Sequence, residues 1–403
     1  LANTGALAFS NLWRIVVSFL LQLLIARRLG VEALGIYAIA MAYLNVTQVI
    51  SELGLPGLLV RDLAQHPNWR RTYFRRALLL QGGAALLTWS GLALFAGLAG
   101  FAPETRNALW IIGASLPAYA LTSVTQTLFQ AGERMELVLG VEFVINSLIL
   151  LASLMVIWLG GSVQALVSVV VVTQLISGLG GWWLLRGSGL LAESQPSSLQ
   201  GAELRRLAAP FYAQSLGDVL LQRADLLLIG LVGGPTVAGI YSAAYNLVRV
   251  LLKLVQSFLQ ALYPTLSRLR GQAPTHFWRV ATWSARWGLA LTVVSAAVVS
   301  TLAMPTLQLV YGADYAEAAP VLTLLVWMAP LVLLESYGAA RLMVERRTAH
   351  SLLISGGHLL TLVLLLPLLT AQSQAVGAAQ AALAAAFIGA GISVLLLRTV
   401  HKQ

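Results

Sequence analysis

The sequence predicts an all-α polytopic membrane protein of about twelve transmembrane helices in two tandem six-helix lobes. Three observations carry this prediction: a strongly apolar composition, the regular spacing of span-length apolar stretches, and an internal repeat. Of 403 residues, 58% are hydrophobic and 10% charged, and the mean hydropathy is +0.81. That balance lies outside the range of water-soluble domains.

A spanning helix needs roughly 20 mainly apolar residues, because it rises about 1.5 Å per residue across a hydrocarbon core of about 30 Å. Stretches of that length fall near 6–26, 35–59, 77–100, 108–130, 137–159, 163–185, 207–231, 238–262, 283–303, 320–340, 350–370 and 376–397. The first is long enough to act as its own insertion signal, so no cleavable signal is expected. Because the sequence opens on Leu1, part of the native N-terminus is expected to be missing.

Lys and Arg retain short loops in the cytoplasm. One set of alternate loops and ends holds Arg61, Arg70, Arg71, Arg75, Arg76, Arg134, Arg186, Arg205, Arg206, Arg268, Arg270, Arg279, Arg286, Arg341, Arg346, Arg347, Arg398 and Lys402. The opposite set holds only Arg27, Arg28 and Arg106. Both termini are therefore expected in the cytoplasm. The main role of the loop arginines is expected to be topology and contact with lipid headgroups.

An offset of 204 residues carries Gly30-x4-Gly35-Ile36-Tyr37 onto Gly234-x4-Gly239-Ile240-Tyr241. The same offset carries Ser10, Arg14 and Ser18 onto Gln214, Asp218 and Gln222. Spacings of four hold each trio on one helical face. Six spans per half give both lobes the same sense, so the relating pseudo-two-fold axis is expected along the membrane normal, with the substrate path between the lobes. The expected organisation is an N-terminal lobe over 1–185, a cytoplasmic linker over 186–206 rich in Gly, Ser and Pro, and a C-terminal lobe over 207–403.

The net charge of +10 does not point to nucleic acid, because the basic residues are dispersed and form no stripe with stacking aromatics. With no cysteine, disulfides, thiolate metal sites and a cysteine nucleophile are excluded. The five histidines, His66, His276, His350, His358 and His401, are scattered, so no transition-metal site is expected. There is no phosphate-cradling glycine loop and no nucleophile with a matching base, so ATP hydrolysis is not expected.

Four cations fall inside spans: Arg14, Arg223, Arg249 and Lys253. Each costs about 2.5–3.5 kcal/mol at mid-membrane unless water, a partner or a ligand receives it. Arg249 and Lys253 lie one turn apart near the bilayer centre, and with Asn246, Gln256 and Gln260 they form a stripe expected to line a cavity. The acids available in spans are Glu52, Glu142, Asp218, Asp225 and Glu335. Asp218 and Asp225 are seven apart and are read as sharing a face with Gln214 and Gln222. The plain alternative is that these groups pair off and specify packing, for instance Arg14 with an acid of helix 7 or with Glu52. Pro117 and Pro330 are expected inside helices 4 and 10, where they would bend them.

The run Ala26-Arg27-Arg28-Leu29-Gly30-Val31-Glu32-Ala33-Leu34-Gly35-Ile36-Tyr37-Ala38, followed by Leu53-Gly54-Leu55 and Arg61, resembles the opening of polysaccharide-biosynthesis oligosaccharide flippases. These belong to the multidrug, oligosaccharidyl-lipid and polysaccharide exporter (MOP) superfamily. The resemblance implies lobes arranged in a V that open alternately to the two membrane faces. It also implies export of a polyprenyl-pyrophosphate-linked glycan with ion-gradient coupling. Related lipid II flippases place arginines of helices 1 and 8 in the central cavity, positions that Arg14 and Arg249 resemble. Two departures limit the likeness: such flippases usually carry two further helices, and the position matching Arg14 in the second half is Asp218.

On this reading, Arg14, Arg249 and Lys253 hold the pyrophosphate, and Asn45 and Gln256 meet sugar. Asp218 or Asp225 is assigned to coupling by H+ or Na+, with no resident cofactor. The expected setting is a bacterial or archaeal cytoplasmic membrane. The chain is expected to be monomeric, among membrane lipids and other polysaccharide-assembly proteins. Rival readings are a cation-coupled multidrug exporter, a membrane glycan polymerase or ligase, and a scaffold without substrate.

Overall fold

A computed structural model describes residues 2–191, 201–272, 274–344 and 348–401, and among these every regular element is helical. In chain order the helices are α1 (Ala2–Glu52), α2 (Leu55–Gln65), α3 (Arg70–Leu98), α4 (Pro103–Gly113), α5 (Leu116–Ala131), α6 (Met135–Trp158) and α7 (Val163–Gly187). They continue as α8 (Gly201–Val232), α9 (Gly234–Gln272), α10 (Pro274–Thr301), α11 (Ala303–Val310), α12 (Ala319–Leu325), α13 (Met328–Val344) and α14 (Thr348–His401). The middle of the expected linker, 192–200, lies outside the described residues, as do Arg346, Arg347 and Lys402.

Each of the twelve expected segments is helical, but the breaks do not fall where the spans end. Among the described residues, seven helices are long and apolar enough to cross a membrane, and the α4–α5 pair, bent by 41°, makes an eighth if it is one span. Helix α1 holds the first two expected segments, joined through Gly30, and α14 holds the last two, joined through Ser373 and Gln374. Large apolar side chains such as Leu79, Leu87 and Trp158 are 76–85% exposed. Hydrocarbon, rather than water, is the medium that accommodates such a surface.

The two repeated glycines adopt related backbone solutions. Gly30 has φ 86° and ψ −176°, a region open in practice only to glycine, and Gly234, at the start of α9, has φ 75°. The residues following each are buried, with Ile36 and Tyr37 in one copy and Ile240 and Tyr241 in the other. The motif therefore encodes a change of direction and then a helix face that enters a core.

By packing, the chain divides into two compact units, Leu1–Arg223 and Ala224–Gln403, with the dividing point inside α8. In the first unit, Leu55, Leu58, Leu59 and Leu63 of α2 enter a core with Tyr73 and Phe74 of α3, Leu128 and Phe129 of α5, and Ala208 of α8. Helix α2 starts after two residues of positive φ, Leu53 and Gly54. A side chain at position 54 would strike the backbone of Ala208 and Tyr212, and one at Gly57 would meet the Phe211 ring at 2.6 Å. Glycine at these positions lets the two helices touch.

In the second unit, Val255, Leu259 and Leu266 of α9 pack with Phe277 and Ala281 of α10 and Leu333 and Tyr337 of α13. The closing arm of α14 is lined by buried alanines, Ala378, Ala379, Ala382, Ala385, Ala386 and Ala390 among them. Small residues of this kind let helices in lipid approach closely and gain dispersion contacts.

Pro117 and Pro330 do not bend helix interiors. Pro117 is the second residue of α5 and Pro330 the third of α13, because the spans at 103–131 and 319–344 are each made of two helices. Proline fits an opening turn, where its missing N–H has no helical acceptor. Pro56 occupies the same kind of place in α2.

Gly30→Ala is expected to lower the stability of the purified protein by about 1–3 kcal/mol, the cost of a strained backbone. An added Cβ there meets nothing within 4 Å, so the loss is conformational rather than steric. Gly82→Ala, inside α3 and equally open, is the control and should be neutral or slightly stabilising. Thermal melts of the two variants in detergent compare them directly.

Candidate functional site

Helix α9 has three distinct faces. At about 100° per residue, Asn246, Arg249, Lys253, Gln256 and Gln260 fall within roughly 80° of arc. The core face, through Val255, Leu259 and Leu266, is centred about 120° to one side. An exposed apolar face, with Val250, Leu254 and Phe258, lies about as far to the other. One exposed face is thus suited to lipid and a separate one is not.

On the polar face, Lys253 is exposed and its Nζ donates to Gln256 Oε1 at 2.9 Å. Arg249 is half-buried and Asn246 buried. The Tyr311 phenol, from the segment after α11, lies beside both Asn246 and Arg249. Helix α9 carries no carboxylate along its length. What it presents is two cations one turn apart, amides on either side and a phenol. This combination suits an anion with several acceptor oxygens.

Arg14 is exposed on α1, within electrostatic range of Tyr119 on α5. The Tyr119 hydroxyl donates to Glu52 Oε1 at 2.6 Å, and Ser123 Oγ donates to the same oxygen at 3.1 Å. Glu52 is the last residue of α1 before the break, and its backbone carbonyl accepts from Gln81 Nε2 of α3 at 3.3 Å. Side chains of two neighbouring helices thus satisfy both the carboxylate and the carbonyl exposed by the break. Nearby, Trp13 Nε1 donates to Ser147 Oγ at 3.2 Å and fastens α1 to α6.

The remaining expected residues differ in setting. The Asn45 amide donates back to the Met41 carbonyl of its own helix. Asp218 is exposed together with Gln214 and Gln222. Asp225, seven residues on, is buried in the second unit, where Tyr241 Oη donates to Oδ2 at 2.8 Å and the Leu226 N–H to Oδ1 at 2.7 Å. The two aspartates, read from the sequence as sharing one helical face, thus have different surroundings. Equal helical phase does not give equal surroundings once Tyr241 of α9 reaches the second carboxylate.

Sequence reasoning did not single out Tyr119, Ser123 or Tyr311. Tyr119 and Ser123 are four apart on α5, a spacing that puts two hydroxyls on one face and could have marked a partner for a buried acid. Tyr311 had no such signal.

Among curated proteins none matches the chain in sequence. Solved structures match it closely in fold at low identity. A lipid II flippase, MurJ, in an inward closed conformation aligns with a TM-score of 0.79 at 13% identity, over 97% of this chain and 87% of its own. An inward-facing multidrug resistance MATE family transporter of the MOP superfamily aligns with a TM-score of 0.78 at 11% identity, over 96% and 94%. A MOP superfamily transporter from Pyrococcus furiosus, described as having a binding pocket of reversed polarity, aligns with a TM-score of 0.55 at 13% identity, over 98% and 92%. The fold is that of the MOP transporters, and residues 1–270 match the family described as polysaccharide biosynthesis protein. This multi-pass membrane protein therefore belongs to the polysaccharide biosynthesis protein family.

Proposed function

We propose that this protein is a flippase that carries a polyprenyl-pyrophosphate-linked oligosaccharide across the cytoplasmic membrane by alternating access. The observation that carries the reading is the polar face of α9, with half-buried Arg249 beside Tyr311 and exposed Lys253 one turn on, bonded to Gln256. A pyrophosphate offers several charged oxygens, and guanidinium and ammonium groups bind these through charge-assisted hydrogen bonds. From the sequence, Arg14 is assigned to the same headgroup, and Asn45 and Gln256 are the amides assigned to sugar. Family membership and the structural likeness to a lipid II flippase support the same substrate class.

Transport requires no covalent chemistry. The carrier has to grip the headgroup in one state and release it in another, so the cationic contacts must weaken as the conformation changes. An H+ or Na+ gradient is the proposed driving force, in a monomer with both termini in the cytoplasm. Asp218 and Asp225 remain the coupling residues assigned from the sequence. The multidrug-exporter reading draws on the MATE likeness. A cationic drug, however, would face two positive groups and no carboxylate on α9.

The test is leaflet transfer in proteoliposomes of a polyprenyl pyrophosphate bearing a fluorescently labelled oligosaccharide. Each charge-assisted contact is worth about 1.5–3 kcal/mol, so Arg249→Ala with Lys253→Ala should slow transfer by about a hundredfold or more. Unchanged transfer by the double variant removes the phosphate role. Gln256→Ala is expected to change the preference among glycans while transfer of the bare polyprenyl pyrophosphate stays within about twofold of the parent, because an amide facing sugar contributes only a neutral hydrogen bond.

A further inference from the structure

The apolar surface of the second unit is interrupted toward one end of α10. Along that helix Leu291, Val294 and Val298 are exposed, on the side away from the buried Phe277, Ala281 and Ser284. Followed toward the start of the helix, the exposed side carries Trp287, Arg286, Trp283 and Arg279. At about 100° per residue, Arg279, Trp283 and Arg286 fall within roughly 60° of arc. The two indoles are 64% and 62% exposed, with ring centroids 6.3 Å apart.

The repeat separates what both halves share from what only one has. The offset of 204 residues carries Arg75, Leu79, Leu87 and Leu94 of α3 onto Arg279, Trp283, Leu291 and Val298 of α10, and every one of these side chains is exposed. The shared pattern is a lipid-facing stripe that ends in an arginine, and topology accounts for that arginine in both copies. It does not account for Arg286 and Trp287, whose counterparts are Gly82 and Gly83. Only the second copy thus has a cation two turns further along the stripe. By the helical rise, Arg286 lies about 10 Å beyond Arg279 in the apolar direction.

Interfacial tryptophans alone serve as anchors. A guanidinium on the lipid side at that depth is a cost unless an anion meets it. The neighbouring helices supply none. Helix α10 carries no Asp or Glu, and neither do α9, α11 and α12, which pack against it. Helix α13 brings only Glu335, whose Oε2 lies 2.9 Å from His358 Nδ1 of α14. Among the described residues, Arg286 has no ion-pair partner. Its long side chain can carry the charge back toward the headgroups, and Trp283 stands between the two arginines, about 4–6 Å of helical rise from each. Two guanidinium groups and an indole N–H are therefore within reach of one phosphate.

We propose that the lipid-facing side of α10 at Arg279, Trp283 and Arg286 is a binding site for an anionic phospholipid of the surrounding bilayer. The phosphate accepts charge-assisted hydrogen bonds from both arginines and a further one from Trp283 Nε1, while Trp287 and Leu291 lie along the acyl chains. A choline headgroup has the same phosphate but brings a positive charge toward two guanidinium groups, so the site selects lipids of net negative charge. Occupancy neutralises Arg286 where the protein does not. The lipid is a resident of this surface and not cargo, so the proposal is independent of the transport reading.

The test is native mass spectrometry of the purified protein titrated in detergent with phosphatidylglycerol or with phosphatidylcholine of identical acyl chains. The parent is expected to retain one phosphatidylglycerol about tenfold more tightly than phosphatidylcholine. Arg279→Gln with Arg286→Gln should weaken that binding by about tenfold or more, whereas Arg71→Gln with Arg75→Gln, which removes the same charge from the exposed side of α3, should leave it within about twofold. Equal retention of the two lipids by the parent, or equal losses in the two double variants, overturns the proposal. Should the α10 double variant not fold, Arg286→Gln alone is expected to weaken binding by about threefold or more, and unchanged binding is equally fatal. Displacement of the retained phosphatidylglycerol by equimolar polyprenyl pyrophosphate would make the occupant cargo and also sink the proposal. No transport is measured, so failure of oligosaccharide transfer would leave this result standing.

Discussion

The structure depends on one constraint: a polar group placed in hydrocarbon must find a partner, line water or carry cargo. Where backbone is freed, the chain supplies partners from neighbouring helices, as Gln81 does for the carbonyl of Glu52. Where side chains are charged, the chain either matches them across helices, as with Glu335 and His358, or gathers them on a face separate from the lipid-facing one. Helix α9 shows the second solution most plainly. Its two exposed faces would be interchangeable in water, and only a surrounding bilayer makes their segregation meaningful.

The helical segments were legible because the bilayer imposes a length, and composition reports it directly. The stripe on α9 was legible for a similar reason, since a period of 3.6 residues turns spacing into a face. The helix breaks were half legible. Pro56, Pro117 and Pro330 mark them, yet proline alone does not say whether it bends a helix or begins one. What decides is whether the preceding turn closes, and that depends on packing against other helices.

Cross-helix pairing was the least legible part of the site. Tyr119 and Ser123 reach Glu52 from 67 and 71 positions away, and His358 reaches Glu335 from 23. No local pattern encodes such a meeting. Asp218 and Asp225 make the same point from the other side: their sequence spacing is that of one face, but a tyrosine from the next helix covers the second and leaves the first open. Sequence periodicity thus identifies which residues share a direction, and tertiary structure decides what they meet.

The tight joins at Gly30 and at Gly233 and Gly234 bear on how this chain can be handled. The first turn is made by one glycine and the second by two, with helix on both sides, so almost no chain is available there as a loop. Reporter fusions or epitope tags inserted at these turns would push two helices apart rather than extend a tether, and a silent reporter there would be uninformative about sidedness. Proteases and antibodies would likewise find little to recognise. Mapping of the membrane orientation is better directed to the longer connections, such as 99–102 and 159–162, where the backbone already leaves the helix before it turns.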